Sequence, residues 1–248
     1  MSVPFFTTDA LVLREVRYKE ADRILTILTP ERGKLTVKAR GALRNKSKTA
    51  AATQLLTWSE MTVFENRERM TVNEASVKED FIGLRADFTA YALGCYFAEV
   101  TEAVTREEIP EPGALKLILN SLFALSNHLA GEKQVKAAFE LRLASMLGYT
   151  PDLSVCRVCG NPRPEHPMIG IQDGHLYCRD CRDFGTAAAP IIPDTLECMR
   201  YILSAPPKRF LSFRCEGETL NCLSRVCEDF LMEHLSRGFG TLSYYRGL

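Results

Sequence analysis

The chain has 248 residues, more than the roughly 100–200 of one ordinary compact domain, so an elaborated domain or two to three small ones are expected. A hydrophobic content of 46% and a charged content of 25% exclude wholesale disorder. With 31 basic and 31 acidic residues the net charge is zero, which excludes a globally basic nucleic-acid binder but not a locally basic one. The opening residues lack the basic flank and apolar core of a signal peptide, and the most apolar run, 90–98, is too short to span a bilayer. A soluble cytoplasmic protein with no membrane contact is expected.

Residues 1–80 read as short strands. Apolar runs at 11–13 and 24–28 are bounded by turn residues, the second by Thr29-Pro30-Glu31-Arg32-Gly33. Between Gly33 and Gly41, Leu35, Val37 and Ala39 alternate with Lys34, Thr36, Lys38 and Arg40, the pattern of a strand with one buried and one cationic face. Two more strands fit 57–65 and 70–77, joined by the polar turn 66–69. Ala42 to Gln54, rich in Ala and Lys, suits a loop or a short helix. Five strands with an insert after the third match a small OB-type Greek-key barrel, although an SH3-like barrel would use much the same strands.

The period then changes to 3.6. A helix is expected over about 88–104, and apolar stripes follow at Leu115 to Leu129 and at Val135 to Leu147, the latter closed by Gly148. Arg142 falls inside that stripe, where an arginine must pair with a carboxylate or reach a cleft. Helical segments near 195–203 and 217–238 complete the chain. The predicted organisation is α+β and multi-domain: a barrel at 1–80, a helical domain at 81–152 and 187–248, and an inserted cysteine module at 153–186.

Two constellations carry chemistry. Cys156-x2-Cys159 and Cys178-x2-Cys181, separated by 18 residues, have zinc-ribbon spacing. Four thiolates complete a tetrahedron and leave no open position, which points to one structural Zn2+. The alternative is four free thiols. His166 and His175 lie in the intervening loop and read as exposed loop residues, while the other five cysteines read as small core hydrophobes. The second constellation is Arg32, Lys34, Lys38, Arg40, Arg44, Lys46 and Lys48, seven cations with no acidic residue among them. Such a run can neutralise phosphates, and Tyr18, Trp58 or Phe64 could stack on bases. A solvated charged face and ordinary core aromatics are the plainer alternative. No glycine-rich phosphate loop, G-x-S-x-G, H-E-x-x-H or G-x-G-x-x-G is present, so a binding protein is expected over an enzyme.

Five segments, in order and spanning the chain, resemble the bacterial RecO family. They are 10–14 with Tyr18-Lys19-Glu20-Ala21-Asp22; Thr29-Pro30-Glu31-Arg32-Gly33-Lys34; Lys38-Ala39-Arg40-Gly41-Ala42; Phe139-Glu140-Leu141-Arg142 with Leu147-Gly148-Tyr149-Thr150-Pro151 running into the first cysteine pair; and His234-Leu235 with Leu242. The resemblance implies an OB barrel, a helical domain with a zinc module, and a mediator of DNA repair and recombination. Such proteins bind and anneal single- and double-stranded DNA, act with RecR to load RecA onto SSB-coated strands, and bind the SSB C-terminal tail. Lys34, Lys38 and Arg40 fall on the family's basic barrel positions and Arg44, Lys46 and Lys48 on its basic loop; Arg14 joins them as a candidate DNA contact. Lys133, Lys136 and Arg142 are candidate partner contacts. The competing readings are a zinc-ribbon adaptor without DNA contact and an enzyme behind an unfamiliar motif.

Overall fold

The computed structural model describes residues 4–66, 69–181 and 188–248. Two compact units emerge, one of residues 1–127 with 239–248 and one of 128–238. The strands of the barrel end at Glu79, but the first compact unit continues through three helices and regains the C-terminal one.

In the first unit, β1 (Phe5–Tyr18), β2 (Asp22–Thr29), β3 (Gly33–Ala39), β4 (Trp58–Asn66) and β5 (Arg69–Glu79) form a closed barrel in the order β1-β2-β3-β5-β4. β1 closes it by pairing its first half with β4, from Phe5 opposite Phe64 to Leu11 opposite Trp58, and its second half with β2, the register shifting between Val12 and Arg14. This five-stranded order is that of an OB fold. The alternation read at β3 is present: Leu35, Val37 and Ala39 enter a core with Ala10, Val12, Leu25, Ile27, Met61 and Val63. β3 and β5 run parallel and pair only at Lys38–Thr71 and Ala39–Val72. This short seam leaves an open groove on the barrel wall. Residues 40–56 are a succession of turns and not a helix, stitched by bonds such as Ser47 N–H to Arg44 O and Thr53 N–H to Thr49 O. The linker expected at 66–69 includes residues 67–68, which lie outside the described residues.

Gly33 ends the β2–β3 turn with φ +66°, and a Cβ there would fall 2.0 Å from the Ile109 carbonyl oxygen. That approach reflects the segment after α2 (Phe88–Val104), which lies along β3 through a Lys34–Glu107 bridge and a Glu108 N–H to Lys34 O bond of 3.0 Å. The N-cap of α2 is Asp87, whose carboxylate accepts from the Thr89 and Ala90 N–H groups. The short α1 (Ile82–Ala86), α3 (Pro112–Ser126, begun by a proline in its first turn) and α7 (Gly240–Arg246) pack around α2. Glu99 of α2 accepts from the backbone N–H and the hydroxyl of Thr241, which fixes α7.

In the second unit α4 (Glu132–Met146) is buried almost all round by α5 (Pro193–Ser204) and α6 (Gly217–Leu235). A three-stranded sheet ordered β7-β6-β8 (Leu176–Cys178, Pro167–Gly170, Ala188–Pro190) carries the cysteine module. Gly148, at φ +96°, follows the end of α4 as its composition foretold. Of the five scattered cysteines, Cys198, Cys215 and Cys227 are buried, while Cys95 and Cys222 are partly exposed. Burial pushes the Cys95 thiol up to about 11.

Two candidate partner contacts prove to be interior. Lys136 is 2% exposed and sits between Glu140 at 2.8 Å and Glu228 at 2.6 Å. Burial opposes its charge, but the two carboxylates outweigh it and raise its pKa. Among the described residues, Arg142 meets no carboxylate. Its guanidinium donates to the Ile202 carbonyl at 2.9 Å and to the Ala205 carbonyl, and lies 5.2 Å from the Phe210 ring centroid. It therefore caps the C-terminal end of α5, where carbonyls lack helical partners. Arg142→Met should strand those carbonyls and lower stability by about 1–3 kcal/mol, read as a fall in urea midpoint; an unchanged midpoint contradicts the capping role. Lys133 is exposed and donates to Asn221 at 2.9 Å.

Candidate nucleic-acid interface and metal centre

The four paired cysteines converge. Two residues between Cys156 and Cys159 make a tight turn closed by Gly160 N–H to Cys156 O at 2.9 Å, and Gly160 takes φ +74°. Such a conformation suits glycine. The second pair begins at Cys178, the last residue of β7, and ends in a 3-10 turn, Arg179–Cys181; the Cys178 N–H points at the Cys156 sulfur at 3.3 Å. All four Sγ atoms lie within 4.8 Å of one another, with Cys159 and Cys178 at 3.5 Å. A tetrahedral ion with metal–sulfur bonds of about 2.3 Å requires sulfurs about 3.8 Å apart, so the donor set fits such an ion. Burial works against a Cys156 thiolate, yet the N–H groups of Cys159, Val158 and Cys178 win and pull it down to about 6. Cys181 is pushed up to about 11, first by the Cys159 sulfur, and Cys178 is raised by burial and by the same neighbours. Thiols this close resist ionising together unless a cation joins them. No histidine belongs to the group among the described residues.

Sequence reasoning missed the anchor of this module. Arg200 of α5 donates to the carbonyls of Leu153 (2.9 and 2.6 Å), Ser154 (3.1 Å) and Pro162 (2.6 Å), gathering the backbone on both sides of the first cysteine turn. No local pattern around Arg200 announces this, because its partners lie about forty residues away.

The seven cations of 32–48 separate into two sets. Arg32 makes a two-pronged pair with Glu65 at 2.9 and 3.1 Å and covers the Phe6 ring at 4.2 Å. Lys34 donates to the Glu102 carbonyl at 2.8 Å and lies 3.7 Å from Glu107. Lys38 pairs with Asp22 at 2.8 Å. Arg14, outside the run, pairs with Glu102 at 2.8 Å and reaches Thr26. Arg14, Lys34 and Lys38 are therefore committed to carboxylates or carbonyls, contrary to the expectation of a free cationic strand face. The reason is tertiary: α2 and the segment after it bring Glu102 and Glu107 over β3. Arg40, Arg44, Lys46 and Lys48 remain exposed, with no ion pair among the described residues.

The groove at the thin β3–β5 seam has a volume of ≈ 870 Å³. Lys19, Lys38, Arg40 and Arg69 line it together with Tyr18, Phe5 and Phe64, and no carboxylate is among its described lining residues. Tyr18 is 42% exposed, with the Lys38 ammonium 4.9 Å and the Lys19 ammonium 5.5 Å from its ring centroid. Asp22 organises this wall, accepting from Lys38 and from the Gly41 N–H at 2.8 Å. Those two bonds, the lysine's first, hold its carboxyl below the ordinary range. Trp58 is half-buried at the start of β4 and does not line the groove; Phe64 does. Arg69 escaped notice in the sequence because it lies far along the chain from the basic run.

An OB barrel with a cationic, aromatic-lined groove, on a chain whose four clustered thiols could hold a metal ion, defines a class of OB-fold proteins with a cysteine module. Family models narrow the class: recombination protein O N terminal matches residues 1–81 and recombination protein O C terminal matches residues 85–243. The chain belongs to this RecO family of DNA repair proteins. It is 30% identical to "DNA repair protein RecO" of Acetivibrio thermocellus, covering 98% of this chain and 97% of that one. It is 32% identical to the protein of that name from Desulforudis audaxviator, covering 97% and 96%, and 32% identical to that of Heliobacterium modesticaldum, covering 90% and 83%. Among the described residues no helix is long and apolar enough to cross a membrane.

Proposed function

We propose that this protein is a recombination mediator of the cytoplasm that binds and anneals DNA without bond chemistry and, with RecR, loads RecA onto SSB-coated single strands. Zn2+ held by Cys156, Cys159, Cys178 and Cys181 is its one cofactor, and its role is structural. The observation that carries the DNA-binding part is the groove, where four cations and three rings meet with no carboxylate among the described lining. Family membership supports the RecR, RecA and SSB parts. The mechanism is capture of phosphates by Lys19, Arg40, Arg69 and the turn cations, followed by juxtaposition of strands.

A mobility-shift titration at two salt concentrations, with and without RecR, tests the reading. Salt-sensitive binding that leaves the strands uncut is expected. Absence of binding under both conditions would sink it and leave the adaptor reading, and metal-dependent strand cleavage would make the protein an enzyme.

The Asp22–Lys38 pair gives a finer test. Asp22→Asn keeps an oxygen for the Gly41 N–H but frees the Lys38 charge. DNA affinity should rise, and the log–log salt slope on single strands should steepen by about 0.7 if Lys38 gains one phosphate. An unchanged slope would mean that Lys38 has no access to the backbone.

A further inference from the structure

The cations of the groove account for phosphates but leave its rings without a task. Phe5, 43% exposed, and Phe64 pair at 4.9 Å between centroids on neighbouring strands. Tyr18 stands on the same groove, equally exposed, and its environment is specific. Lys38 is neutralised by Asp22 yet lies over the Tyr18 ring, and Lys19 flanks the ring as well. A lysine engaged in this way adds little to phosphate capture; it orients a ring. Three exposed or half-exposed rings beside three cations free of ion pairs among the described residues, Lys19, Arg40 and Arg69, form an alternation of flat apolar and cationic surfaces.

We infer that the groove is a single-strand site in which Tyr18, and at its other station the Phe5–Phe64 pair, stack on unpaired bases while Lys19, Arg40 and Arg69 hold the phosphates. The inference rests on the DNA-binding reading above and adds strand preference to it. Duplex DNA hides its base faces inside its own stack, so it can engage the cations but not the rings. The exposed cations Arg44, Lys46 and Lys48 lie outside the groove lining and serve either kind of DNA. Tyr18 is the stronger station because its ring is held in place before DNA arrives, so less side-chain freedom is lost on stacking.

The test uses the full-length protein and fluorescence anisotropy with three probes of one length: oligothymidylate, the same strand with consecutive abasic sites, and a duplex. Tyr18→Ala should weaken oligothymidylate binding roughly 5- to 150-fold, the range of one lost base–ring stack, and lower the ratio of single-strand to duplex affinity. On the abasic strand, wild type and Tyr18→Ala should coincide, since no base remains to stack. Tyr18→Phe, which keeps the ring, should restore oligothymidylate binding. Phe5→Ala should repeat the pattern with a smaller loss. Wild-type affinity for oligothymidylate in Tyr18→Ala overturns the inference, as does an equal loss on intact and abasic strands, which would mark a contact to the backbone alone. Wild-type protein that binds none of the three probes removes the DNA-binding reading itself. The two failures are thus told apart by the unsubstituted protein.

Discussion

Cys178→Ser is expected to release the metal and unfold the cysteine module, the largest loss of stability foreseen for any single substitution in this chain. The second sulfur pair stands on a three-residue strand, in which Leu176 and Tyr177 are buried, and on a single 3-10 turn with no buried residue. Structural zinc sites contribute apparent binding free energies of about 10–16 kcal/mol in small domains at neutral pH. Whole domains are stable by only about 5–15 kcal/mol, so with zinc held as proposed the module should lose its order once the ion leaves. Arg200 still tethers the first turn to α5 through backbone carbonyls, and those bonds do not depend on sulfur. Disorder should therefore centre on the β6–β7 hairpin and the second cysteine turn, with the barrel retained. Metal analysis of the purified wild type under reducing conditions should find one zinc per chain and the variant none. Hydrogen exchange should localise the loss to about residues 156–181. Acid acts in the same direction: release requires the thiolates to take up protons, so retention falls as pH is lowered. Wild type purified without zinc would refute the assignment, and so would a variant with unchanged thermal midpoint.

What was legible in the sequence follows the range of the forces involved. The strand at 33–39 could be read because its alternation is local, and the burial of Leu35, Val37 and Ala39 confirms it. The stripes of α3 and α4 and the spacing of the cysteines are local in the same sense. Charge pairing is not. Nothing near Lys34 states that Glu102 and Glu107 will lie over it, and Lys38 meets its partner across the β2–β3 ladder in Asp22. Lys136 is a candidate partner contact through the family resemblance alone, and Arg142, inside an apolar stripe, is expected to meet a carboxylate or a cleft. α4 is instead buried from Gln134 to Ala144, and Lys136 and Arg142 are met there by carboxylates and carbonyls. The turns of 40–56 were ambiguous for another reason. Their Ala and Lys content is compatible with a helix, but Leu56 N–H and Val12 O, bonded at 3.0 Å, tie the segment to β1 and set its path. The same tertiary packing that hides three cations leaves the four of the turn segment in water.

Reversal of those four, Arg40, Arg44, Lys46 and Lys48 to Glu, is the second expected result of large size. None is in an ion pair among the described residues, so the exchange breaks no such bond and should leave the barrel folded. Lys38→Glu would be a poorer probe, because it sets a new carboxylate against Asp22 and confuses folding with binding. If each of the four neutralises one phosphate, they contribute about 2.8 to the log–log salt slope on single strands, at about 0.7 each. Wild-type affinity should then fall about 50-fold on their account between 50 and 200 mM salt. The variant loses that term and gains repulsion, and its net charge moves from 0 to −8. DNA binding should drop by about three orders of magnitude at low salt, annealing should vanish, and the remaining affinity, carried by Lys19 and Arg69, should keep a log–log salt slope of only about 1.4. Because counterion release is blind to sequence, the loss should be alike for all base compositions, unlike the base-dependent loss expected at Tyr18. Circular dichroism and the thermal midpoint should match the wild type. A folded variant that anneals as before would place the phosphate path elsewhere, on the groove cations Lys19 and Arg69 alone, and would remove the turn segment from the interface.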